Sequence, residues 1–526
     1  MRSTATLLSN ASRTGLVAAA VALALAAGAA RADNAADLAA LKSQVQSLQS
    51  QISALEAREN GGTTTSTSTA AKPTPTFNAG PVTITLGGFA ELIGVERSRF
   101  EGADWASNWN TGIPLANSSN YYLDEFHMTM RQSRLSALAQ APTDGHTAIE
   151  AYVETDFGAA GGTANNNESA SYSPRVRHFY GDYQDKDNGW YLLAGQTWSL
   201  VTQDNSLINP RSERAPLTID GQYLPGFSWL RVAQVRFVKN LADNRAAVGI
   251  SLENPAALVS CSNSTSTSTA CVGPTTTVVP KAPITSIGGQ GSAYPNGTVS
   301  LDPLPDVVGK IAFEPGFGHY ELLGTYRTFR DRFAGSNNTT SGFGFGGNLV
   351  LPLLGPSLEL NASYLHGEGI GRYGSSQLPD VTINPNSGSL DTIRGDQYYA
   401  GLTWKPAPAW VVYAYYGSER VTEQSSTYLS GTKTIGQGYG SPLFDNSGCY
   451  VEGGVTGHSC YGNTKSVTQE TIGAWWKYYQ GTLGNAQIGL QASHTTRDVF
   501  TDAAGNNPSS DLNVYMVSFR FYPYQR

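Results

Sequence analysis

Trp190-Tyr-Leu-Leu-Ala-Gly-Gln-Thr-Trp198 and Ser228-Trp-Leu-Arg-Val-Ala-Gln-Val-Arg-Phe237 each read as one strand, rich in the β-branched and aromatic residues that suit a pleated, half-buried surface. Between them runs a polar segment with Asn209-Pro210-Arg211, Glu213-Arg214, Asp220 and the turn Leu224-Pro-Gly-Phe227. It is too long for a tight hairpin and too mixed for a flexible linker. In a regular all-β chain a connection of that length is usually functional.

Outward from this stretch, the chain after Pro81 repeats one unit: about ten residues of alternation, then a break. Short turns fall at Pro142–Gly145, Asp185–Gly189, Asn240–Asn244, Glu314–Phe317, Leu353–Pro356, Pro406–Pro408 and Gln480–Gly484. Longer polar loops lie between them, the largest around 254–305, 367–394 and 421–466. Strands counted from Val82 to Tyr522 number 16. An even count, with short turns at one end and long loops at the other, predicts an all-β fold: a 16-stranded antiparallel transmembrane β-barrel over residues 81–526.

Face alternation agrees. Ile149, Ala151, Val153 and Phe157 oppose Glu150, Tyr152, Glu154 and Asp156. Ala246, Val248, Ile250 and Leu252 oppose Arg245, Ser251 and Glu253, and Ala486, Ile488, Leu490 and Ala492 oppose Gln487, Gln491 and Ser493. Apolar outside and polar inside describes a barrel in lipid with a wet lumen. Trp404, Trp410, Trp475, Trp476, Tyr478 and Tyr479 sit near short turns, where a periplasmic aromatic girdle belongs. The last strand puts Tyr515, Val517, Phe519 and Phe521 on one face. In this frame the segment after Trp198 is expected to fold back into the barrel and narrow its channel.

The N-terminus reads as an address. Arg2 and Arg13 make a basic region, Leu16–Ala27 an apolar one, and Ala30-Arg31-Ala32 a small-x-small site, so residues 1–32 are expected to be a signal peptide cut between Ala32 and Asp33. Leu38, Leu41, Val45, Leu48, Ile52 and Leu55 then step by three and four, the seam of a short coiled coil over 33–60, in the periplasm. Three heptads are marginal alone and call for partner helices, without deciding dimer or trimer. Residues 61–80, with a Thr/Ser run and Pro73-Thr-Pro75, read as a flexible linker.

Composition narrows the function. Of 526 residues 14% are charged, with 57 glycines and 27 tyrosines, and no internal run nears the ~20 apolar residues of a spanning helix. Without the signal's three arginines, 34 basic and 41 acidic residues leave −10, which argues against nucleic acid as a partner. Cys261 with Cys271, and Cys449 with Cys460, are two local pairs; three connectivities are possible, and two loop-closing disulfides are the simplest in an oxidising compartment. No histidine–cysteine spacing suits a metal, and no cofactor motif stands in context. There is no Gly-x-Ser-x-Gly elbow or zinc-protease spacing, so no catalytic residue is assigned and an enzyme is not expected. The glycines of Gly342-Phe-Gly-Phe-Gly-Gly347 read as strand glycines, since no βαβ unit surrounds them.

Several stretches resemble one family. They are Gly87-Gly88-Phe89, Arg131-Gln-Ser-Arg-Leu135, Glu154-Thr-Asp-Phe157, Arg177-His178 with Tyr180-Gly181, and Ala194-Gly-Gln-Thr-Trp-Ser199, together with the early coiled coil. The chain resembles the dicarboxylate-channel (DcaP-like) family of trimeric outer-membrane porins over about residues 35–237, and beyond that in architecture alone. The resemblance implies a homotrimer among the outer-membrane lipids of a Gram-negative bacterium, passing small anionic solutes through an arginine-lined constriction. The inserts near both cysteine pairs depart from it.

Six arginines are candidates for that constriction: Arg131, Arg175, Arg177, Arg211, Arg214 and Arg231. Arginine suits carboxylates because its planar fork binds both oxygens. On the second strand Arg131 shares a face with His127, Thr129 and Ser133, and Arg134 with Phe126, Met128 and Met130, so Arg131 is expected in the lumen and Arg134 at an interface. Arg175 and Arg177, two apart, share a face; Arg211 and Arg214 ride on the inward loop. Arg231 and Arg236 point opposite ways, so at least one is structural. Pairing with Glu150, Glu154, Asp156, Glu213 or Asp220, merely to stabilise a polar lumen, is an equal alternative for any one of these arginines, while for the set a cationic eyelet is the favoured reading. The expected function is passive diffusion of small anions, dicarboxylates foremost. A phosphate-selective or general porin, or a structural barrel for tethering or adhesion, are the alternatives.

Overall fold

Val82–Arg97 is the seam of the molecule: its first half pairs with Arg134–Pro142 and its second half with both Glu125–Thr129 and the final strand, Ser509–Tyr522. This is a computed structural model that describes residues 75–142, 145–159, 172–260, 262–263, 302–333 and 336–523. The signal segment, its cleavage site, the coiled coil and the Cys261–Cys271 pair lie outside the described residues.

Sixteen antiparallel strands close the sheet. In order they are Val82–Arg97; Glu125–Thr129 continued by Arg134–Pro142; Thr147–Ala159; Ser173–Asp185; Trp190–Trp198; Arg231–Leu241; Ala246–Glu253; Asp306–Phe313; His319–Phe333; Ser336–Pro356; Leu358–Glu368; Arg394–Ala407; Trp410–Val421; Thr464–Gly481; Gly484–Val499; and Ser509–Tyr522. We refer to them as the first to the sixteenth. The sheet begins earlier than the sequence suggests, because Thr76–Ala79 pairs with Val82–Thr85 inside the stretch read as linker. All seven short turns fall where expected. At the long-loop end, the ninth and tenth strands are exceptional: Phe333 pairs with Ser336, and these long strands rise in place of a loop.

Outward side chains such as Ile149, Val248, Ile250, Leu252, Leu490, Tyr515, Val517 and Phe519 are exposed, while Glu150, Asp156, Ser251, Glu253, Gln487 and Gln491 are buried inside. An apolar exterior of this kind suits a barrel in lipid. The girdle holds for Trp404, Trp410, Trp476 and Tyr478, all exposed. Trp475 is a correction: it points inward, only 5% exposed, and its Nε1 donates to the Leu217 carbonyl at 2.9 Å. Cys449 and Cys460 form the expected disulfide, with Cα atoms 4.7 Å apart.

The lumen is not polar throughout. Leu200, Val201, Leu207, Ile208 and Leu230 pack on inward Leu193, Val232, Val238, Val308 and Leu323, while Ile219, Tyr223, Leu224, Phe227 and Trp229 pack with Trp105, Tyr399, Tyr413 and Trp475. The connection 199–230 therefore lies inside the barrel and buries its apolar side chains there. This explains why both faces of Ser228–Phe237 read as apolar: lipid covers one and the inward loop the other.

Candidate functional site: a cationic constriction

The inward loop is seated by specific contacts on the far wall. Gln203 Nε2 donates to the carbonyls of Leu349 and Ala362, and Tyr399 Oη donates to Gln203 Oε1. Leu217 N donates to Tyr415 Oη, Ile219 N to Gln491 Oε1, and Gly226 N to Glu419 Oε1. Gly226 has φ +86°, and a Cβ there would lie 2.1 Å from the Tyr398 carbonyl oxygen, so only glycine allows this approach.

The near wall, strands two to four, is irregular where the arginines sit. The second strand breaks at Met130–Ser133, where Ser133 N donates to the Met130 carbonyl and Phe157 N to the Arg131 carbonyl. This shifts parity by one residue. Phe126 and Met128 face out, as does Leu135, and Arg134 turns inward instead of to an interface. Where the third strand pairs with the fourth, the register slips between Glu154 and Thr155 and leaves Arg177 as an extra residue on the fourth strand, so Arg177 and His178 are both buried inside, as bulges allow.

The side chains converge there. Arg175 grips Asp156 with two contacts, Nε–Oδ1 at 2.9 Å and Nη2–Oδ2 at 2.6 Å. Arg177 donates to Glu154 at 2.6 Å and Asp156 at 3.0 Å, and Arg134 lies 3.7 Å from Glu154. The Arg231 guanidinium stacks 4.3 Å from the Trp198 ring centre, its Nη1 buried without a hydrogen-bond partner. Arg134, Arg175 and Arg177 thus share two carboxylates, and Arg231, near Arg175 and Arg177, adds a fourth guanidinium, a formal surplus of two positive charges. Beside them, Arg131 donates to Asp104 at 2.8 Å and to the carbonyls of Phe157 and Ala159. Tyr223 of the inward loop completes the group: burial alone would raise its phenol, but Arg177, Arg134 and Arg231 outweigh it and bring it down to about 7.

Arg211 and Arg214 stand apart from this cluster. The loop carries Arg211 to Glu150 Oε2 at 2.7 Å and Tyr180 Oη at 3.3 Å, and Arg214 to Glu359 and to Asn205 Oδ1. Both are paired, and they pin the loop to two sides of the barrel. Arg236 is structural: fully buried, it donates to the Trp198 carbonyl and Gln234 and lies 3.7 Å from Glu213. Arg134 is the cation that alternation placed wrongly, since nothing in Met130–Ser133 announces a broken strand. Among the described residues no group of three or more His, Cys, Asp or Glu is placed to hold a metal ion.

The sequence matches no protein-family model and no curated protein. Among solved structures, the outer-membrane channel DcaP of Acinetobacter baumannii is similar, with a TM-score of 0.53 and 18% identity over 84% of this chain and 97% of that one. An anion-selective porin from Comamonas acidovorans gives 0.45 and 8%, over 84% and 99% of the two chains. OmpF of Salmonella typhi gives 0.43 and 10%, over 84% and 98%. With closure, strand number and inward loop in place, the chain has the fold of the DcaP outer-membrane channel.

Proposed function

We propose that this protein is an outer-membrane porin for small anionic solutes, dicarboxylates foremost, working as a homotrimer of the DcaP-like kind with its coiled coil in the periplasm. The observation that carries the reading is the surplus of guanidiniums, Arg134, Arg175, Arg177 and Arg231 against Glu154 and Asp156, where the inward loop meets the irregular wall. A pore selects by the charge and width of its narrowest ring. Charges in a low-dielectric constriction act more strongly than the net charge of the whole chain. The planar guanidiniums suit carboxylates in particular.

The test is the reversal potential of single channels under a KCl gradient. The wild type should prefer chloride, Arg175→Ala and Arg231→Ala should weaken that preference, and succinate should compete with chloride current. A cation preference, unchanged by either substitution, would sink the anion reading and leave a general porin. Absence of any conductance would favour a structural barrel.

A further inference from the structure

Between the constriction and the rim of short turns lies a cavity of about 610 Å3, within the range of roughly 300–1,000 Å3 typical of small-molecule sites. Its walls carry two chemistries. Lys405 of the twelfth strand and Lys477 of the fourteenth face into it, and neither makes an ion pair among the described residues. The other cations of the cavity are engaged: Arg134, which with Tyr223 marks its boundary with the constriction, with Glu154; Arg214 with Glu359; and Arg520 with Glu91 while sandwiched between Phe89 and Trp475 at 4.5 Å from each ring centre. The rest of the lining is mixed, with Thr218, Thr403, Asn485 and Gln487 polar and one group of apolar residues. Pro216 and Leu217 of the inward loop form its roof, and Val411 and Trp475, opposite each other in register, form its wall.

We propose that this cavity is a second binding site, in series with the constriction, for organic anions with one charged end and an apolar body. The inference rests on the porin reading. The carboxylate meets the ammonium groups of Lys405 and Lys477, and the carbon body lies on Leu217, Val411 and Trp475. Inorganic anions and acetate gain the charge interaction alone. An aromatic or branched monocarboxylate gains both, because removing apolar surface from water adds to the charge attraction. Lys405 and Lys477 are thus specificity-determining residues outside the arginine cluster.

The experiment compares interruption of chloride current by benzoate and by acetate in planar bilayers. Benzoate should interrupt current at a concentration about tenfold lower than acetate. The double variant Lys405→Gln/Lys477→Gln should need about tenfold more benzoate while still preferring chloride to potassium in the absence of benzoate. Val411→Asn should weaken benzoate alone and leave acetate unchanged. Equal potency of the two acids, or benzoate potency unaffected by the lysine pair, overturns the second site while leaving the porin reading standing. A wild-type channel without anion preference overturns the anion reading, and the second site with it.

Discussion

The wall of strands two to four and the wall of strands twelve to fifteen meet the same inward loop in opposite ways. The far wall is nearly regular and offers it mostly neutral groups: Tyr399, Tyr415, Trp475 and Gln491, with Glu419 as the one carboxylate. The near wall breaks at Met130–Ser133 and slips beside Glu154, and there it presents Arg134, Arg175 and Arg177 with Glu154 and Asp156. A regular pleat sends alternate residues to the lumen, whereas a bulge lets neighbours such as Arg177 and His178 face it together. Charge density at the arginine cluster therefore comes from irregular backbone, and support for the loop from regular backbone.

The largest effect should come from the far wall. Gly226→Val would place a branched side chain against the Tyr398 carbonyl at positive φ, at a cost of about 2–5 kcal/mol to seating the loop. With the loop displaced, single-channel conductance should rise severalfold. Unchanged conductance would mean that the far wall does not hold the loop. Gly316→Ala, in a short turn where a Cβ meets nothing, is the matched control.

Next comes the difference in ion pairing between the near wall and the eleventh strand. Asp156→Ala leaves Arg175 and Arg177 without their shared buried carboxylate and should cost about 3–5 kcal/mol in denaturant unfolding. Glu359→Ala frees Arg214 in a more exposed setting and should cost about 1 kcal/mol or less. Equal losses would erase the distinction between the charged near wall and the single pair that pins the loop to the eleventh strand. In conduction, Arg211→Ala and Arg214→Ala should shift the reversal potential less than Arg175→Ala or Arg231→Ala, because each removes one half of a neutral pair pinning the loop.

Sequence alternation is informative where the pleat is regular. Glu150 and Asp156, Ser251 and Glu253, and Gln487 and Gln491 all face inward as their spacing implies. The same rule contains Lys405 and Lys477, which alternate with the outward Trp404 and Trp476, but a girdle draws attention to tryptophans and away from the lysines between them. Arg134 was beyond the rule, since a four-residue break in a strand has no fixed signature. Arg211 pairs with Glu150, one of the partners the sequence offers for these arginines, whereas Arg214 pairs with Glu359, which only closure of the barrel brings near.

The smallest effect is the most diagnostic of the charged wall. Tyr223 approaches it from the loop, and the neighbouring guanidiniums bring its phenol down to about 7. Below that pH the phenol is neutral and the cationic surplus is complete; above it a phenolate cancels one charge. Chloride preference should therefore decline as pH rises from 6 to 8.5, and Tyr223→Phe should flatten that decline while leaving the acid-side preference unchanged. Because the folded pKa lies below the ordinary value, the unfolded chain holds the extra proton between about pH 7 and 10, so this group's contribution to stability grows across that interval. A wild-type preference independent of pH would place the Tyr223 ring outside the field of Arg177, Arg134 and Arg231, and with it the loop's contact with the near wall.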